Sequence, residues 1–146
     1  MTAYSRTNTN KQSGVILIEA LVAILIFSIG ILALVGLQAT AIKQSTDARY
    51  RTEAAALANE LIAEMWVSDR TTATLITNFA TGGPRYNAWV LNRVAPTLPG
   101  GIAPTVTIDA AGTAIPGRVL VTIQWRAPNE PAGAAAHNYR TSAVIQ

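Results

Sequence analysis

Three sets of residues in this chain are of types that could do chemistry. The first is Gly14 followed five positions later by Glu19, a single carboxylate placed just inside an apolar run that starts at Val15 and continues to Leu37. A carboxylate at the centre of a membrane-length helix costs roughly 2.5–3.5 kcal/mol on insertion scales and less near an end. Two readings of Glu19 follow: it snorkels to the headgroups, or it awaits a partner charge. The second set is His137 with Asp69, Asp109 and Glu130. His137 is the sole histidine, the three acids are isolated in sequence, and no second soft ligand stands nearby. Neither a zinc site nor a histidine-based triad is expected, and His137 reads as a structural or solvated residue. The third set is Arg85, Arg93, Arg118, Arg126 and Arg140, candidates for a patch facing DNA or another anion. Three acids share that region and aromatic interleaving is lacking, so the arginines read as solvated surface and DNA binding has no support. Gly82-Gly83-Pro84 lacks the lysine and helix that a phosphate loop requires. No catalytic constellation emerges, and the chain reads as a non-enzyme without a cofactor.

The elements that position Glu19 come first in the chain. Residues 15–37 are long enough to cross about 30 Å of hydrocarbon at about 1.5 Å per residue. The preceding MTAYSRTNTNKQSG is polar, with Arg6 and Lys11 as its charged side chains. A secretory signal places its apolar region before the cleavage point. Here the order is reversed, because the candidate processing point, Gly14, precedes the run. Cutting after it leaves the membrane helix on the product with Val15 as the new amino terminus. The basic flank places the leader on the cytoplasmic side, although Lys43, Arg49 and Arg51, offset by Asp47 and Glu53, follow the span. The formal charge of +3 includes Arg6 and Lys11, so loss of the leader removes most of it. With 146 residues, half of them hydrophobic and 13% charged, the chain fits one small domain plus one span. It has no cysteine, which excludes disulfides and thiolate chemistry.

Gly14-Val15-Ile16-Leu17-Ile18-Glu19-Ala20 resembles the class III leader of type IV pilins and of type II secretion pseudopilins. The Ser28-Ile29-Gly30 and Gly36-Leu37-Gln38 elements make the segment similar, more narrowly, to minor pilins of the PilV type. This likeness covers the first third of the chain closely. It implies cleavage after Gly14 by a prepilin peptidase and N-methylation of Val15, which stands where many members carry Phe or Met. It also implies pairing of Glu19 with the amino terminus of a neighbouring subunit. The implied partners are other minor and major pilins, the inner membrane and the pilus assembly platform. The implied location is the inner membrane, single-pass, with the amino terminus cytoplasmic and the C-terminal domain periplasmic, and then the pilus at the cell surface. Priming or modulating pilus assembly, with effects on twitching motility and adhesion, is the implied role. A minor pseudopilin of the I type in type II secretion is the alternative, and a membrane-anchored binding domain that never polymerises is a third. Gly36 falls where major pilins usually carry a helix-breaking proline. Gly30 and Gly36 each lower helix stability by roughly 0.5–1 kcal/mol relative to alanine. They read equally as soft points in a filament or as places of close approach between membrane helices.

The rest of the chain is predicted as follows. An alanine-rich amphipathic helix runs on to about residue 66. Leu57, Leu61 and Met65 recur four apart beside Tyr50, Ala54, Ala58 and Ile62, and this stripe is expected to pack on the chain's own sheet. With no proline between the two halves, residues 15–66 are expected to form one rod of about 75–80 Å. Residues 67–90 read as a connection with a short helical turn over 73–79. Strands are expected at 88–95, 105–109, 118–126 and 139–145, with Val119, Val121, Ile123 and Trp125 facing the helix. The PilV-type likeness extends modestly to the Val-Thr-Ile-Gln-Trp-Arg run at 121–126. Residues 127–136 read as an exposed loop of little information. The expected architecture is α+β and pilin-like: leader 1–14, stem helix 15–66 with its span at 15–37, and a small antiparallel sheet domain over 67–146.

Overall fold

The computed structural model describes residues 13–128, 130–131 and 133–146. Residues 1–12, which hold most of the expected leader with Arg6 and Lys11, lie outside the described residues, as do Asn129 and Ala132 within the 127–136 loop. The architecture is α+β: a long N-terminal helix, whose later part packs on a three-stranded antiparallel sheet. Helix α1 spans Ser13–Val67 without a break, 55 residues, so the expected continuity through Gly30 and Gly36 is present. The chain forms two compact units, Met1–Gln44 and Ser45–Gln146, and α1 contributes to both.

In the first unit α1 is uncovered along its whole described length. In the second its stripe is covered as the periodicity requires. Ala54, Leu57, Ala58, Leu61 and Met65 are buried, with Tyr50 and Ile62 packed partly against them. Offsets of three and four residues keep these side chains on one helical face. Helix α2, Thr72–Phe79, buries Leu75 and Phe79 one turn apart. Ahead of it, Asp69 accepts the Thr71 backbone N–H at 3.0 Å and the Thr74 hydroxyl at 3.1 Å. Those hydrogen bonds, the Thr71 backbone one foremost, hold the Asp69 carboxyl below its ordinary range.

Residues 88–95, expected as a strand, are helical instead. Helix α3, Pro84–Trp89, continues into a π-helical turn, Val90–Val94, and a final helical turn α4, Ala95–Thr97. The strand expectation rested on aromatic and β-branched residues, and tertiary burial overrides that preference. Tyr86, Trp89 and Val94 are the buried residues, a helical spacing. Pro84 starts the helix at a position where no N–H is required. At the other end Pro96 has no N–H and its ring would clash with the carbonyl four residues back in a regular α-turn. The wider π-turn relieves that conflict, with the Ala95 N–H donating to the Val90 carbonyl.

Strands β1, Thr105–Ile108, β2, Arg118–Trp125, and β3, His137–Val144, form an antiparallel sheet in the order β1-β2-β3. Among the described residues three strands stand where four were expected. Val121 is paired with Val106 on one side and Thr141 on the other. Val119, Val121, Ile123 and Trp125 are buried, as their alternation predicted. The sheet is tied to the helices by Thr81, whose backbone N–H donates to the Val106 carbonyl at 3.0 Å while its Oγ1 accepts the Val106 N–H at 2.8 Å. The Tyr86 hydroxyl adds a buried bond, donating to the Pro104 carbonyl at 2.6 Å. Gly117 enters β2 at φ +73°, and its carbonyl accepts the Ile145 N–H at 3.0 Å. A Cβ at Gly117 would run into the Ile145 carbonyl.

Because Leu61 is fully buried among these side chains, Leu61→Ala is expected to lower the unfolding free energy by about 2–5 kcal/mol. Leu91→Ala, at a position 73% exposed, changes it by less than about 0.5 kcal/mol. Urea unfolding followed by tryptophan fluorescence measures both.

Candidate functional site

The N-terminal segment of α1 is built from residues that form a helix and expose an apolar surface on every side. Val15, Leu17, Leu21, Leu25, Phe27, Leu32 and Leu37 are each at least 60% exposed. By length and composition this helix can cross a membrane, and none of its most apolar stretch is buried. Its backbone hydrogen bonds are internal, the condition for residence in hydrocarbon. The hydroxyls within or just past the run turn inward as well. Ser28 Oγ donates to the Ile24 carbonyl at 2.7 Å and Thr40 Oγ1 to the Gly36 carbonyl at 3.1 Å. The remaining polar group is Glu19, the sole ionisable side chain between Gly14 and Lys43. It is exposed and has no ion-pair partner among the described residues.

The structure places Gly14, Val15 and Glu19 on this one helix. The Gly14–Val15 peptide bond lies in its first turn, and Val15 and Glu19, four apart, share a face. Gly30 and Gly36 lie in regular helix, and a Cβ at either would meet nothing within 4 Å.

In the second unit the five arginines do not gather into one patch. Arg93 makes a two-pronged pair with Glu60, Nε to Oε1 at 2.7 Å and Nη2 to Oε2 at 2.9 Å. Arg85 Nη1 reaches Glu64 Oε1 at 2.5 Å, and Arg118 Nη2 reaches Asp109 Oδ2 at 2.7 Å. Glu60 and Glu64 are one turn apart on α1, while Arg93 belongs to the 88–95 stretch expected as a strand and Arg85 to the connection expected before it. The pairing was therefore invisible beforehand. These pairs are largely exposed, where each contributes only about 0–1 kcal/mol.

Sequence reading also missed a side-chain cluster. His137 Nε2 lies 2.7 Å from Glu130 Oε1, and one ligand-capable atom from each of Asp47, Glu130 and His137 lies within 4.8 Å of the other two. The 127–136 loop thus carries more than expected: Ala127 is buried and its N–H donates to Glu130 Oε2 at 3.3 Å. The three residues come from α1, the β2–β3 connection and the first position of β3. No local signal in the sequence joins them.

Comparison with protein-family models, with curated proteins and with solved structures finds no match.

Glu19 is the one charge in the span, so Glu19→Leu is expected to make residues 15–37 insert more favourably in a translocon insertion assay. Its place near the helix start keeps the gain below the roughly 2.5–3.5 kcal/mol of a central carboxylate.

Proposed function

We propose that this chain is a minor pilin, a non-enzymatic subunit of a type IV pilus. The observation that carries the reading is the uncovered apolar segment 15–37 of α1, whose sole carboxylate, Glu19, stands five residues after Gly14. In this reading the chain enters the inner membrane with its amino terminus cytoplasmic and its second unit periplasmic. A prepilin peptidase cuts after Gly14 and methylates the amine of Val15. The cut creates a cation at the end of the apolar helix. In the low-dielectric centre of a filament, that amine on one subunit and Glu19 on the next turn two unpaired charges into a pair. Apolar contact drives the helices together without direction, and the ion pair selects one register among many. The second unit, held by its own core, is then displayed to neighbouring pilins at or near the filament surface.

Removing one partner of a buried pair is far more damaging than removing both. Glu19→Ala is therefore expected to be cleaved normally yet to reach pili at a small fraction of the wild-type level, read by immunoblot of sheared filaments. Co-expression with a prepilin peptidase should lower the intact mass by the fourteen N-terminal residues, and an unshifted mass defeats the reading in favour of a plain membrane anchor. Loss of twitching motility with secretion intact in a deletion strain assigns the subunit to a pilus. The reverse pattern assigns it to a type II secretion pseudopilus.

A further inference from the structure

The cluster of Asp47, Glu130 and His137 has no part in the assembly reading and lies wholly within the second unit. Its three side chains offer one imidazole nitrogen and two carboxylates, with the ligand-capable atoms within 4.8 Å of one another. Imidazole together with carboxylate suits a borderline first-row cation such as Zn²⁺, whereas Ca²⁺ and Mg²⁺ prefer all-oxygen shells. Two donors at about 2.0–2.2 Å from one ion are at most about 4.4 Å apart, so the three atoms, within 4.8 Å of one another, are close to the spacing that one shared ion requires.

Several features show that the cluster is organised. The Glu130 side chain is only 8% exposed. One of its oxygens accepts the Ala127 N–H and the other faces His137 Nε2, which fixes the carboxylate on both sides. The His137 ring lies against Trp125, with centroids 5.8 Å apart and planes 16° from parallel, so its orientation is set by packing. The Glu130–His137 hydrogen bond by itself would need no metal. Asp47 is what argues against that simpler account. Its Oδ1 is buried and has no hydrogen-bond partner among the described residues, and an unpaired acceptor out of contact with water is unfavourable. Asp47 and His137 line a common cavity of about 340 Å³ together with Ala48, Arg51, Trp125 and Asn138. A dication there would compensate both carboxylates and give Asp47 its missing partner. Arg51 also lines the cavity, and its positive charge lowers the affinity of such a site.

We propose that Asp47, Glu130 and His137 form a structural binding site for one divalent transition-metal ion of the zinc class. Water completes the coordination sphere. The ion would clip α1 to the β2–β3 connection and to the first residue of β3. The proposal stands apart from the pilin reading, because it concerns only the second unit.

The test uses the untagged full chain in detergent micelles. His137 is its sole histidine and it has no cysteine, so background binding is small. Zn²⁺ titrated against a chromophoric chelator should bind at one equivalent, and melting of the second unit should shift upward by several degrees when zinc replaces EDTA. Asp47→Asn and His137→Ala should each weaken binding at least about tenfold, while Arg140→Ala, on the outward face of β3, leaves it unchanged. Equal zinc affinity in wild type and His137→Ala overturns the proposal. So does Ca²⁺ binding as tight as that of Zn²⁺, or an affinity weaker than about 1 mM. Should a variant fail to fold, Co²⁺ added to the wild-type chain decides the matter. Visible d–d bands with a paramagnetically shifted signal from the single imidazole support the site, and their absence overturns it.

Discussion

More than a dozen large apolar side chains between Val15 and Leu37 are left without cover by the chain that carries them. Each contributes about 1.5–3 kcal/mol when taken out of water, so the total is on the order of tens of kcal/mol, more than the stability of a small domain. By length and composition this helix can cross a membrane, where lipid would supply the cover. Its backbone groups are bonded internally, and Ser28 and Thr40 return their hydroxyls to the turn before. Glu19 is the exception. In a surface that otherwise attracts without direction, one unmatched charge is the feature that can discriminate between arrangements.

From Ser45 on, the same helix meets a different constraint. Its apolar side chains narrow to a stripe, and the sheet supplies the cover through the inner face of β2. Polar residues beside the stripe are drawn into specific partnerships: Glu60 and Glu64 toward Arg93 and Arg85, and Asp47 toward the Glu130–His137 pair. Local deviations from regular structure appear where proline or glycine demands them. Pro96 accompanies a π-turn, and Gly117 supplies the positive φ from which β2 departs. Among the described residues the core of this unit holds no buried polar or charged residue, so its cohesion rests on packing, in keeping with the absence of cysteine.

The elements readable from the residues were those whose burial repeats with a fixed period. The stripe of Leu57, Leu61 and Met65 has helical period, and Val119, Val121, Ile123 and Trp125 have strand period. Both bury the face that the period implies. Residues 88–95 lacked such a signal. Their aromatic and β-branched content suited a strand, and the helical spacing of Tyr86, Trp89 and Val94 becomes meaningful only once the core they enter is known. The loop at 127–136 was likewise opaque. Its low-complexity composition gave no reason to single out Glu130, whose role depends on a histidine in the next strand and an aspartate on α1.

The sequence by itself determined the long helix, its uncovered apolar surface, the position of its lone carboxylate after Gly14, and the α+β class. These follow from local properties: hydrophobic length, period, and the lack of a proline in α1. Only the tertiary structure decided that 84–97 is helical, that the sheet has three strands, and that Asp47, Glu130 and His137 converge. Those outcomes depend on contacts between residues distant along the chain, and periodicity carries no information about which distant groups will meet.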